Sequence, residues 1–228
     1  ANIDDGSCLY AIYGCTDSLA DNYDAMATID DSSCTYFYLN SPKTYVPDDA
    51  FEEFIEDLLP LGNYNIPYDD SVLTSSIDTI TLLDYIWPGW SRTGPFFPIS
   101  DVTGIEDFIL LESLRIRSPQ LSYLDLSQNL LLEHLDIVSC NLLTNINISA
   151  NLNLKELICY NSFLTSLDVS NNTLLEELIC MGNQLTNLEI TQNINLRELY
   201  ISNNPISRLK NILEPKDIQL MNEYFESM

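Results

Sequence analysis

The start of the chain carries the residues best suited to chemistry. Asp17, Asn22, Asp24, Asp30 and Asp31 place five hard oxygen donors within one short segment. Calcium takes about 6 to 8 oxygens at about 2.3 to 2.6 Å, and a small loop can supply several of them. The set is expected to hold calcium; the other reading is an acidic spacer with no bound metal. So short a stretch has little core and needs a covalent tie. Pairing Cys15 with Cys34 closes a loop of about 20 residues and stabilises by roughly 3 kcal/mol on the chain-entropy view. Pairing Cys8 with Cys15 stays open at the level of sequence.

Catalysis finds little support elsewhere. The single histidine, His134, falls on an expected outward strand position. No H-E-x-x-H, Gly-rich phosphate loop or G-x-S-x-G motif is present, so none of these catalytic devices is on offer. Glu176 and Glu177 are adjacent, so a strand sends them to opposite faces and they make no acid–base pair. The chain is expected not to be an enzyme. Its net charge of −25, from 9 basic and 34 acidic residues, argues against nucleic acid and anionic lipid as partners. No apolar run reaches about 18 residues, so no membrane insertion is expected. The chain starts at Ala1 without an initiator Met or a signal peptide, which reads as a processed or excised piece.

The elements that position these residues show up as repeats. Leu111, Leu132, Leu154, Leu175 and Leu196 open five similar segments: LESLRIRSPQL, LEHLDIVSCNL, LKELICYNSFL, LEELICMGNQL and LRELYISNNPI. They approximate L-x-x-L-x-L-x-x-N-x-L, with Ile or Cys in some apolar slots. A fixed period of this length means stacked units, because one unit cannot bury its own apolar side. Leu154, Leu157 and Cys159 should point inward while Ile158 and Tyr160 point outward. Asn161, Asn183 and Asn204 near the strand ends are expected to bond free backbone groups of the turn. LTSLDVSNN and LTNLEITQN read as short turns, not helices.

This pattern resembles the leucine-rich repeat family, of the Bacteroidetes and internalin-like type. The resemblance implies a β-dominated α/β solenoid, a right-handed coil with a parallel sheet on one face. Residues 45–70 contain VPDDAFEEFIEDLL, with Phe51, Phe54, Ile55, Leu58 and Leu59 on one helical stripe. The segment resembles the family's helical N-terminal cap, which would cover the apolar end of the first coil. Its acidic pairs read as a solvated face. Residues 71–110 form an irregular first repeat. It is interrupted by WPGWSRTGPFFP, whose Trp87 and Trp90 either pack on the solenoid edge or contact a ligand. Residues 111–210 are the regular repeats, and 211–228 a C-terminal cap.

Residues 1–36 hold one partial and one complete copy of a Cys/Asp-rich repeat, since IDDGSCLY returns as IDDSSCTY. The segment resembles the GCTD…DDGSC module of secreted and surface proteins, and is similar in turn to thrombospondin type 3 calcium repeats. Residues 37–44 read as a linker.

The outward strand positions make two columns: Arg115, Asp136, Ile158, Ile179 and Tyr200, then Arg117, Val138, Tyr160, Met181 and Ser202. Their middle is apolar and aromatic, and an exposed patch of that kind marks a covered or binding surface. The favoured expectation is an extracellular or cell-surface adhesion module binding protein or glycan through this face, with the calcium repeat as a stalk. The alternatives are a structural subunit of a filament, sheath or virion that binds further copies of itself, and an accessory domain of a larger secreted enzyme. Cys159 and Cys180 are expected to be buried thiols. Cys140 stands where other repeats carry Asn.

Overall fold

A computed structural model describes residues 11–17, 20, 22–35, 41–59, 69–86, 98–210 and 219–220. Cys8, Trp87, Trp90 and nearly all of the expected C-terminal cap lie outside the described residues. The chain divides into two compact units, Ala1–Pro42 and Lys43–Met228.

In the first unit, β1 (Tyr13–Gly14) and β2 (Ile29–Asp30) pair in parallel. The unit has almost no core; Cys15 and Ala20 are its buried apolar residues among those described. Cys15 is joined to Cys34 by a disulfide. That bond takes the place of the apolar surface so small a unit cannot bury.

The second unit opens with β3 (Lys43–Tyr45), helix α1 (Asp49–Leu58) and β4 (Ser71–Leu73), with β3 and β4 antiparallel. Lys43 and Thr44 therefore belong to a strand and not to a linker. Asp48 caps α1 by accepting the amides of Ala50 and Phe51 at 3.1 and 3.0 Å, satisfying donors the first helical turn leaves free. Phe51 and Ile55 are buried, as the stripe requires, whereas Leu58 at the frayed end is exposed. One acidic residue departs from the expected solvated face: Glu52 is fully buried. Glu56 is pushed up to about 7, first by burial and then by the charge of Glu52.

The helix covers the first coil. Phe51 lies 6.4 Å from Phe108, and Phe54 meets Tyr85 edge-on at 5.1 Å. Helix α2 (Thr74–Ile77) leads into β5 (Leu82–Ile86), whose Leu83 and Tyr85 are buried. A 3-10 turn at Ile105–Asp107 follows. It is tied to the cap by Thr44, whose hydroxyl donates to Asp107 at 2.6 Å. Gly104 precedes that turn at φ +101°, and a Cβ there would sit 2.7 Å from the Tyr45 carbonyl oxygen. Only glycine fits both demands.

The regular strands are β6 (Ser113–Arg117), β7 (His134–Val138), β8 (Glu156–Tyr160), β9 (Glu177–Ile179) and β11 (Glu198–Tyr200). With β5 and β13 (Gln219–Leu220) they form a seven-stranded parallel sheet in the order β13-β11-β9-β8-β7-β6-β5. Leu114, Leu135, Leu157, Leu178 and Leu199 stack inward at equivalent positions and are buried. On the opposite side, β10 (Asn187–Glu189) and β12 (Arg208–Lys210) add a small second parallel sheet. No helix occurs between Leu111 and Lys210, as the turn-rich half-units demand. One apolar cluster runs continuously from Val46 in the cap to Leu199.

Buried asparagines stitch the coils together. Asn151, Asn172 and Asn193 are fully buried, and each donates its amide to two carbonyls of the preceding coil. Asn129 does the same for the first coil, to Ile105 and Phe108. Each of these carbonyls also accepts one amide of its own turn, so the asparagine engages its second lone pair and ties one coil to the next. The second set differs from expectation at one place. Asn183 and Asn204 bond the strand-end backbone, but in their sister repeat Ser162 does so, to Ile137 and Tyr160 at 3.2 Å each. Ser162 follows Cys159 by three residues, as Asn183 follows Cys180. Asn161 is one residue early, and turns at φ +52° on the surface.

Candidate partner-docking face

The outer face of the sheet carries three columns of side chains, one per alternate strand position. The middle column is Asp84, Arg115, Asp136, Ile158, Ile179 and Tyr200, matched strand by strand by the parallel register. The second expected column begins with Arg117, Val138 and Tyr160. The third, nearer the strand starts, is Ser113, His134, Glu156, Glu177 and Glu198.

The apolar centre is half-buried, not openly exposed. Val138, Ile158, Tyr160, Ile179 and Tyr200 are all of intermediate exposure, because strands about 4.8 Å apart shade one another's side chains. Met181 does not join them: it is buried at 3% exposure. Strand β9 ends at Ile179, so strand alternation no longer sets the direction of the residue two places on. Trp87 and Trp90 lie outside the described residues.

Charge divides the face. At one end Arg115 bridges Asp136 at 2.7 Å and Asp84 at 3.3 Å. Asp136 is half-buried, and burial pushes its carboxyl up more than Arg115 draws it down. Toward the other end stands a ladder of carboxylates. Glu156 pairs in register with Glu177, and Glu177 with Glu198. Glu156 meets His134 at 3.1 Å, and Glu198 accepts the Tyr200 hydroxyl at 3.1 Å. No described ion pair includes Glu177. Its carboxyl is raised by burial and then by the charges of Glu156 and Glu198. Like charges directly opposite one another destabilise a sheet. This column went unnoticed in the sequence, although its signal is there: the residue before the second Leu of three successive repeats is Glu.

A row of exposed large apolar side chains lies elsewhere, on the turn just ahead of the strands. Ile109, Leu130, Leu152 and Ile194 are more than half exposed at 56, 53, 56 and 63%. They recur at repeat spacing, two residues before Leu111, Leu132, Leu154 and Leu196; Thr173 holds the place before Leu175.

The five oxygen donors of the first unit are largely used by their own turns. Asp24 accepts the amide of Met26, Asp30 that of Ser32 and Asp31 that of Ser33. Asn22 donates to the Ser33 carbonyl at 2.7 Å and accepts the Thr35 amide at 2.8 Å. Asp17 is half-buried beside Cys15. Among the described residues, three carboxylates do not converge here.

The buried cysteines Cys140, Cys159 and Cys180 are free thiols. Burial pushes Cys140 up to about 11 and Cys180 up to about 12. Cys140 takes the expected turn role, with its Sγ 3.8 Å from the Ile116 carbonyl and 3.7 Å from that of Val138.

No protein-family model matches the sequence, and no curated protein does. Solved structures do. An internalin (InlF) of Listeria monocytogenes matches with TM-score 0.57 and 19% identity, over 77% of this chain and 56% of that one. A leucine-rich repeat protein of Leptospira interrogans matches with TM-score 0.51 and 21% identity, over 65% of this chain and 38% of that one. The chain thus spans little more than half the length of one and less than half of the other. Among the described residues, no helix is long and apolar enough to cross a membrane. Taken with the parallel sheet and the stacked leucines, these likenesses give the second unit the leucine-rich repeat solenoid fold.

Proposed function

We propose that this chain is a protein-interaction module that docks a partner on the outer face of its seven-stranded sheet. The partner segment sets Lys or Arg against Glu156, Glu177 and Glu198, and apolar side chains against Ile158, Tyr160, Ile179 and Tyr200. The observation that carries this reading is the in-register glutamate ladder beside half-buried apolar side chains. Folding alone disfavours that ladder, whereas a basic partner neutralises it. On this reading the module performs no catalysis. The Cys15–Cys34 disulfide supports an oxidising, extracellular setting, and adhesion at a cell surface is the role we assign. Calcium in the first unit rests on the donor chemistry of Asp17, Asn22, Asp24, Asp30 and Asp31 alone.

The test is selectivity. Short peptides alternating lysine with leucine or tyrosine are expected to bind, more weakly as salt rises; matched peptides with glutamate for lysine are not. Equal binding of both sets overturns the proposal. A second reading, association with further copies of the chain, draws on the exposed Ile109, Leu130, Leu152 and Ile194 edge; sedimentation at rising concentration would reveal it.

A further inference from the structure

The helical cap holds a second group of carboxylates, unconnected with the docking face. Asp49 opens α1, Glu52 lies one turn further on, and Asp70 immediately precedes β4. One carboxylate oxygen from each lies within 4.8 Å of the other two. Glu52 is wholly buried at 0% exposure, a position glutamate almost never takes without compensation. Its Oε1 accepts the amides of Asp69 and Ser71 at 3.3 and 3.1 Å. Its Oε2, equally shut off from water, accepts no hydrogen bond from the described residues.

No neighbouring cation resolves this, and Asp69 can bond the Glu52 side chain only by sharing a proton with it. Lys43 is spent on Asp69 at 3.3 Å and on the Ser71 hydroxyl at 3.1 Å. Asp48 is fully occupied by the start of α1 and by Ser100 and Asp101. Glu56, one turn beyond Glu52, adds another carboxylate with a buried Oε1 lacking a donor. None of the described ion pairs reaches Asp49, Glu52 or Asp70. A buried carboxylate oxygen facing two other carboxylates has the wrong neighbours for an anion and the right ones for a cation.

We propose that Asp49, Glu52 and Asp70 bind one divalent cation, with calcium preferred. Calcium holds oxygens at about 2.3 to 2.6 Å and so bridges pairs up to about 5 Å apart; magnesium, at about 2.0 to 2.1 Å, does not reach as far. Asp49 and Asp70 are exposed, so water completes the shell. The ion joins the first turn of α1 to the entry of β4 and locks the cap as one piece.

The experiment is a calcium titration of the full chain by calorimetry, with parallel thermal melts. Asp49→Asn and Asp70→Asn are the diagnostic variants, because both residues are exposed and tolerate the change. Asp30→Asn with Asp31→Asn serves as the control for the first unit. The expected result is a rise in melting temperature of the second unit with calcium. That rise is abolished, and the stoichiometry falls by one ion, in Asp49→Asn and Asp70→Asn, but not in the control. Full calcium response in both cap variants, or no response in the wild-type second unit, overturns the site. An equal response to magnesium at the same concentration overturns the preference for calcium.

Discussion

Glu156 and Glu177 occupy facing positions on neighbouring parallel strands, with Glu198 next in line beyond Glu177. Glu177 has a carboxylate on either side and a carboxyl raised chiefly by burial, then by those two charges. A folded value above the ordinary 4.5 means that the folded chain holds the proton more tightly. The group's contribution to stability is therefore fullest below its ordinary value and is lost as pH rises through the raised one. Glu177→Gln is expected to raise stability at pH 7 by about 0.5 kcal/mol, or about 1 to 2 °C. It should also flatten the melting-temperature profile on the mildly acidic side. A lower melting temperature at pH 7 would mean that the ladder is not under strain.

The asparagine spine should be costly to interrupt. Asn172 donates to Ile148 at 3.0 Å and to Asn151 at 2.9 Å, and is fully buried. Asn172→Ala removes two buried hydrogen bonds while both carbonyls keep the amides of their own turn, at about 1 to 3 kcal/mol. A fall of roughly 2 to 12 °C in the melting temperature is expected for a chain of this size. Asn171→Ala, next door on the surface, should change it little.

Most of the solenoid is legible in the leucine spacing, because burying leucine is the strongest term and its period is regular. What escaped depends on single residues. Ser162 replaces Asn at one turn, so the eye settles on Asn161 one place early. Met181 sits two residues past a strand that stops at Ile179, and no sequence rule says where a strand stops. Glu52 matches the polar positions of an amphipathic helix, yet the amides of Asp69 and Ser71 draw it inward. The glutamate ladder is an alignment across repeats, visible only when apolar positions are not the sole ones compared. The Cys15–Cys34 bond was one of two pairings the sequence left open, and the fold of the first unit selects it.

Breaking that disulfide should act locally. Cys34→Ser is expected to cost the first unit about 3 kcal/mol, enough to open so small a core. Limited proteolysis should then cut within residues 11–35, while the melting of the second unit stays within a degree or so of wild type. A parallel loss of solenoid stability would show that the two units are not thermodynamically separate.

The interior thiols should be inert. Cys140, Cys159 and Cys180 are buried, and burial raises all three, Cys180 to about 12. The thiolate is the reactive form, so alkylation at pH 8 should leave these three unlabelled in the native chain and label all three after denaturation. Peptide mass mapping reads each site separately; labelling of any one under native conditions contradicts the burial described.

The sheet face is tested most directly by one set of affinities. Binding of a lysine–leucine peptide is measured by calorimetry for wild type, for Glu156→Lys with Glu177→Lys, and for Tyr160→Asp, each checked for an unchanged melt. The predicted result is that both variants bind at least about tenfold more weakly, a loss of about 1.4 kcal/mol or more. Wild-type affinity in both, with the fold intact, would remove this face as the docking surface.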